Sequence, residues 1–347
     1  MRRPLFIALL AIPILVTFFA DTFAVVSTGA PLLNYPLNAR VRAMGDNGAA
    51  DNTDPGNVYF NPANVMGFAR AYLQGARWSV ETGLADDIWI GGLSTGFCHR
   101  QDDGISFAGD FSYGRLDYGE SIATDNEGNI LQEFNSAEQS ATLTLGVGIP
   151  FGQGNEFRVG AAAKRWWANY APASVGDEGT VDFGAFAFDF GATAAFNAEY
   201  SDWRLTPALG ASIVNFGNDI EVPDRGSDPL PTRVHFGGSL CVASPTVSIL
   251  GAQVPLVSMV GNVDGVDRLH DQPFTWGMGT EIAVTQILFL RNGFTNDPGK
   301  QDGTFESSAW GVGLGIPAER FRLRFDYTHS SRYYEPDIYG IALSWDL

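Results

Sequence analysis

Six charged residues fall on the polar sides of otherwise apolar, alternating segments: Arg158, Arg233, Glu281, Arg322, Arg324 and Asp326. Their signs are mixed, so two chemistries are open. They can pair with one another and close an interior, or the arginines can grip a ligand carboxylate through two parallel N–H···O bonds. Catalysis has much less support. There is no G-x-S-x-G nucleophile elbow. The four histidines (His99, His235, His270 and His329) are scattered, with no H-E-x-x-H. Gly311-Val-Gly-Leu-Gly315 lacks the lysine of a phosphate loop and reads as a strand whose glycines allow close packing. Glu120, Asp125, Glu127 and Glu133 gather in the stretch 118–136, which has no Lys or Arg, but no calcium-loop spacing is present. No enzyme activity, metal site or cofactor is therefore expected. Cys98 and Cys241 are too few and too distant to make a disulfide scaffold.

The elements that must position these charges come from a chain of 347 residues with net charge −18, 17% charged and 13% aromatic residues. Soluble domains average about 25% charged residues. The acidic balance repels phosphate backbones, which argues against a nucleic-acid partner. Arg2 and Arg3 precede an apolar run from Leu5 to Phe19, with Thr22 and Ala24 placed for cleavage. Residues 1–24 thus read as a signal peptide. Beyond Ala24, Gly or polar residues break every apolar run, so no transmembrane helix is expected.

The main signal is a period of two. Leu143, Leu145, Val147 and Ile149 alternate with Thr144, Gly146 and Gly148; Phe321, Leu323, Phe325 and Tyr327 alternate with Arg322, Arg324 and Asp326. Successive strand side chains point to opposite faces, so each segment has one oily face and one small or polar face. The segments are about 9–13 residues long, enough to cross a bilayer when tilted. Aromatics near their ends, such as Trp78, Trp166, Trp167, Trp276, Tyr327, Tyr339 and Trp345, suit interfacial girdles. In lipid, only helices and closed barrels satisfy every backbone group. The reading is all-β: a transmembrane, antiparallel, up-and-down barrel of about 14 strands occupying residues 70–347, from 70–82 to 337–347. Connections alternate short and long, with 118–136 and 265–271 among the long ones and a strand expected at 253–264. Charges are costly against lipid, so the six should face the lumen. A barrel this wide needs filling, and residues 25–69 are available as a plug or cap. There Asn61 can bond exposed backbone and Pro62 can fix a tight turn before Ala63.

Asn38-Ala-Arg-Val-Arg-Ala-Met-Gly45, followed by Asp54-Pro-Gly-Asn-Val-Tyr-Phe-Asn-Pro-Ala63, resembles the N-terminal motif of FadL-like outer-membrane barrels. Leu209-Gly-Ala-Ser-Ile-Val-Asn-Phe-Gly217 followed by Leu230-Pro231, Leu290-Arg-Asn-Gly-Phe294 and Phe325-Asp-Tyr-Thr328 are similar to the PorV/PorQ branch. The resemblance spans residues 38–347. It departs from the pattern at Leu347, where an aromatic is usual, and at the polar Gly45-Asp-Asn-Gly48. It implies the outer membrane of a Gram-negative-type bacterium and contact with its lipid. It also implies one of two roles. The PorV side implies an accessory of type IX-like protein secretion or surface assembly, with secretion proteins or exported cargo as partners. The FadL side implies a channel for long-chain fatty acids or other hydrophobic small molecules.

Overall fold

The computed structural model describes residues 28–67, 71–81, 85–101, 104–125, 127–152, 154–170, 181–222, 226–270, 272–296, 306–331 and 337–345. The expected signal peptide and Leu347 lie outside them.

The strands run, in chain order, β1 (Ala71–Glu81), β2 (Ala85–His99), β3 (Ser106–Thr124), β4 (Ile130–Phe151), β5 (Asn155–Tyr170), β6 (Val181–Ala195), β7 (Ala198–Tyr200), β8 (Trp203–Gly217), β9 (Ile220–Val222) and β10 (Gly226–Asp228). They continue with β11 (Arg233–Ala243), β12 (Thr246–Ile249), β13 (Ala252–Pro255), β14 (Val257–Arg268), β15 (Gln272–Val284), β16 (Leu288–Asn296), β17 (Glu306–Pro317), β18 (Phe321–Ser330) and β19 (Asp337–Trp345). Fourteen of these form one antiparallel sheet in which each strand pairs with its sequence neighbours; β9–β10 and β12–β13 are separate small hairpins, and β7 folds back on β8. The first and last strands then pair, from Ala71 opposite Trp345 to Arg77 opposite Tyr339, and the sheet has no free edge.

The oily face looks outward, as alternation requires. Leu143 and Leu145 on β4 are 54% and 60% exposed, while Thr144 between them is fully buried. Trp276, Trp310, Tyr327 and Tyr339 belong to this outer face near one rim, where Tyr327 lies 5.5 Å from both Trp310 and Tyr339 between ring centroids. Such a band suits a bilayer interface. Two expected girdle residues point the other way. Trp78 and Trp166 are buried on the lumenal side. Trp78 packs with Leu32, Ala39 and Ile338, and the Trp166 indole N–H donates to Glu138 at 3.1 Å. Trp166 and Trp167 are neighbours on one strand, so only one of them can face outward; Trp167 packs with Tyr113.

Three boundaries also differ from expectation. The stretch 118–136 is mostly strand: β3 and β4 continue as a two-stranded hairpin up to Thr124 and Ile130, with Asp125 donating to the Asn129 carbonyl where it closes. Cross-strand pairs such as Ser121–Phe134 and Ile122–Glu133 carry the ladder on past the barrel rim. The strand expected at 253–264 starts later and runs further, as β14, because Ala252–Pro255 instead pairs back on Thr246–Ile249. The connection expected at 265–271 is correspondingly short.

Residues 28–67 are almost wholly buried and approach all fourteen wall strands. Examples run right around the circle: Asn38 to Gln74 on β1, Leu37 beside Gly92 on β2 and Gly114 on β3, Pro62 against Gly160 on β5, and Ala49 against Gly210 on β8. Further on, Gly45 meets Gly293 on β16 and Ala39 meets Gly340 on β19. Only a segment inside the barrel can do this. The small faces of the strands supply the room: at Gly160, Gly279 and Gly293 a Cβ would collide with the backbone of Pro62, Met44 and Gly45. The segment begins near one rim, where Gly29 donates to the Pro229 carbonyl at 3.0 Å. It leaves at the other rim to start β1.

Placing Arg at Leu145 puts a cation against the middle of the hydrocarbon. Leu145→Arg should cost about 2–4 kcal/mol, read by reversible unfolding into and out of lipid vesicles.

Candidate functional site

The short elements of the N-terminal segment are capped at their starts by side chains. The helix α1 (Ala39–Ala43) is capped by Asn38, whose Oδ1 accepts the Val41 N–H at 3.0 Å. A 3-10 turn, Pro55–Tyr59, is capped by Asp54 accepting the Gly56 N–H at 2.8 Å. Both caps satisfy amides that a helix start leaves open. After α1 the chain reverses at Gly45, with φ +75°, and its Cα side faces the backbone of Gly293 and Phe294. A side chain there would be strained and would collide.

Between this segment and the wall lies a chain of ion pairs. Arg40 bonds Asp51 at 3.0 Å and meets Glu281 of β15 through two nitrogens, at 2.9 and 3.1 Å. Arg291 of β16 bonds Glu281 at 2.5 Å and Asp326 of β18 at 2.7 Å. Arg324 of β18 then bonds Asp326 at 2.7 Å and returns to the segment through Asp54 at 2.6 Å. Burial alone would raise the Asp54 carboxyl. The Arg324 and Arg40 guanidiniums overcome this and hold it below the usual carboxylate range. Three arginines and four carboxylates thus tie Arg40, Asp51 and Asp54 to β15, β16 and β18, on one arc of the wall.

Two further carboxylates hold the segment by its backbone. Asp264 of β14 accepts the Gly48 and Ala49 N–H groups at 2.5 and 2.7 Å. Glu138 of β4 accepts Leu32 N–H at 2.8 Å, together with Trp166, Tyr170 and Tyr118. Each carboxylate is met by hydrogen-bond donors, two backbone N–H groups at Asp264 and both N–H and O–H groups at Glu138.

The sequence-expected residues divide among several places. Glu281, Arg324 and Asp326 meet in the ion-pair chain. Arg158 sits near the opposite wall, bonded to Glu156 at 2.6 Å. Arg233 lies beside Asn34 and the Tyr59 hydroxyl. Arg322 is exposed at the start of β18 and joins none of them. Asn61 donates to the carbonyls of Ala49 and Ala192 at 2.7 and 3.1 Å and accepts the Ala63 N–H at 3.0 Å; Pro62 opens a 3-10 turn through Gly67, and Ala63 is fully buried. Arg40, Asp51, Asp54, Arg291, Glu138 and Asp264 are the functional side chains that the alternating pattern had not singled out. Arg291 was within its reach, because it shares a face with Gly293.

The arrangement can bind a segment firmly inside a pore. Among the described residues no group of three or more His, Cys, Asp or Glu could hold a metal ion. No family model matches the sequence, and no curated protein does. Solved structures do match. The Ralstonia pickettii toluene transporter TbuX has a TM-score of 0.50 at 14% identity, over 89% of this chain and 98% of that one. A TodX deletion mutant, a monoaromatic hydrocarbon channel, scores 0.48 at 10% identity, over 88% and 97%. A Pseudomonas aeruginosa FadL homologue scores 0.46 at 10% identity, over 89% and 98%. At 14% identity the first is a likeness of fold alone, and the lower-scoring two add nothing to it. The chain has the fold of an outer-membrane β-barrel, a closed antiparallel barrel of 14 strands with an oily exterior.

Removing one partner from a buried ion pair strands the other charge. Arg291→Met should destabilise the barrel by about 3–5 kcal/mol, whereas Arg322→Ala should stay within about 0.5 kcal/mol. Equilibrium unfolding of both variants in detergent or lipid checks the contrast.

Proposed function

We propose that this chain is a channel for hydrophobic small molecules across the outer membrane, with residues 25–69 acting as its plug. One observation carries the reading: the N-terminal segment touches every wall strand and still leaves a cavity of about 210 Å³, lined by Tyr72 and Phe289 together with Asp54, Gln74, Arg322 and Arg324. A space of roughly 150 Å³ takes benzene, so a single ring fits this room in size, against a lining that mixes apolar and polar side chains and opens toward one rim. The fold shared with a toluene transporter supports the same reading. The PorV/PorQ likeness rests on short motifs, and the secretion role it implies draws no support from the matched structures. Outer-membrane lipid remains the partner of the oily exterior.

The plug is bound through ion pairs and backbone hydrogen bonds, so its removal should open a wide aqueous path. Deleting residues 25–65 should raise single-channel conductance in planar bilayers; unchanged conductance would rule out a plug. Expression in a bacterium stripped of its own hydrocarbon channels should accelerate entry of labelled toluene. Entry no faster than in the empty-vector strain, with secretion proteins co-purifying, would favour the secretion accessory instead.

A further inference from the structure

The lumen holds a second, smaller cavity, of about 80 Å³, between the N-terminal segment and the wall at β3, β4 and β5. Its floor is apolar, from Leu33, Leu37 and Val58 of the N-terminal segment; its wall is polar, from Ser112 and Thr144 of the barrel. The larger cavity opens toward the rim where β18 begins and β19 ends, beside Arg322 and Ser344. Pro55 and Gln74 line both spaces. Pro55 of the segment and Gln74 of the wall thus stand between the two spaces. Gln74 is held there: its Oε1 accepts from Asn38 at 2.8 Å and its Nε2 donates to Ser94 at 2.9 Å. Two residues earlier on the same face of β1, the Tyr72 hydroxyl bonds Asp110, with Tyr72 bordering the larger space and Asp110 the smaller.

From this geometry we propose that Gln74 is the gate of the channel, and that the route through the lumen runs along β1. The proposal rests on the channel reading above. The other sides are closed more firmly. On β15, β16 and β18 the segment is tied by charged pairs, and at Gly279 and Gly293 its backbone lies directly on the wall. Along β1 no ion pair joins the segment to the wall among the described residues: Asn38 meets Gln74 through a neutral hydrogen bond, weaker than a charge-assisted one, and the Tyr72–Asp110 bond lies within the wall itself. The smaller cavity is well below the size that takes benzene, so a ring-sized solute passes only when Gln74 swings aside. Its two hydrogen-bond partners, Asn38 on the segment and Ser94 on β2, then decide how often it does.

The test is ion conductance of the full-length chain in planar bilayers. Gln74→Ala should raise single-channel conductance roughly twofold or more by widening the narrowest point, and Gln74→Trp should not raise it. Asn262→Ala removes an amide that also reaches the segment, bonding Asp51 at 3.1 Å, but lines neither cavity; it should leave conductance unchanged. Gln74→Ser, shorter but still polar, stands in if the alanine variant fails to assemble and should likewise raise conductance. Wild-type conductance in the shortened Gln74 variants, or an equal rise in Asn262→Ala, would overturn the gate. Ions report the opening whatever the cargo is. A conductance rise with no hydrocarbon entry would leave the gate standing and sink the channel reading.

Discussion

Everything in this molecule follows from the cost of an unpaired peptide group in hydrocarbon. No water is available there, so each N–H and C=O must find a partner within the chain. A sheet meets that demand only when it has no edge. The pairing of β1 with β19 removes the last edge, and the other thirteen seams join strands adjacent in sequence. Closure then imposes the rest. One face of every strand must tolerate lipid, and the opposite face must surround a space too wide for ordinary side chains to fill.

That space sets a second demand. A segment with little regular structure, threaded through a protein interior, carries its own peptide groups into burial. The wall answers with side chains. Thr328 donates to the Ala39 carbonyl at 2.6 Å, Thr295 to Gly45 at 2.5 Å and Ser212 to Phe60 at 2.5 Å, while Asp264 and Glu138 take the amides of Gly48, Ala49 and Leu32. The small lumenal faces are thus complementary to the segment in shape, through glycine, and in hydrogen bonding, through short polar residues. Charged pairs concentrate on one arc of the wall and neutral contacts on another, so the seam around the segment is uneven in strength.

The wall was largely legible beforehand because alternation is local. Leu143, Thr144 and Leu145 declare their faces without knowledge of any partner, and the same rule put Glu281, Arg324 and Asp326 inside. Alternation does not report height along the barrel or position around it, which is why Arg158 and Arg233 were grouped with residues they never meet. It also cannot say where a ladder stops. The β3–β4 hairpin runs on past the rim because cross-strand pairs such as Ser121–Phe134 extend it, although the acidic composition of 118–136 looks like loop. The N-terminal segment has no period at all. Arg40, Asp51 and Asp54 gain meaning only from the strands they reach across more than two hundred residues, and no local pattern encodes that.

Hydrogen–deuterium exchange of the full chain in lipid nanodiscs, resolved by peptide, addresses closure around the segment most directly. Amides at the β1–β19 seam, from Ala71 to Arg77 and from Tyr339 to Trp345, should exchange as slowly as those of the β4–β5 ladder, and residues 38–66 should be protected with them. Exchange within seconds along β1 and β19 while the other strands stay protected would mean an open edge, and would contradict the account.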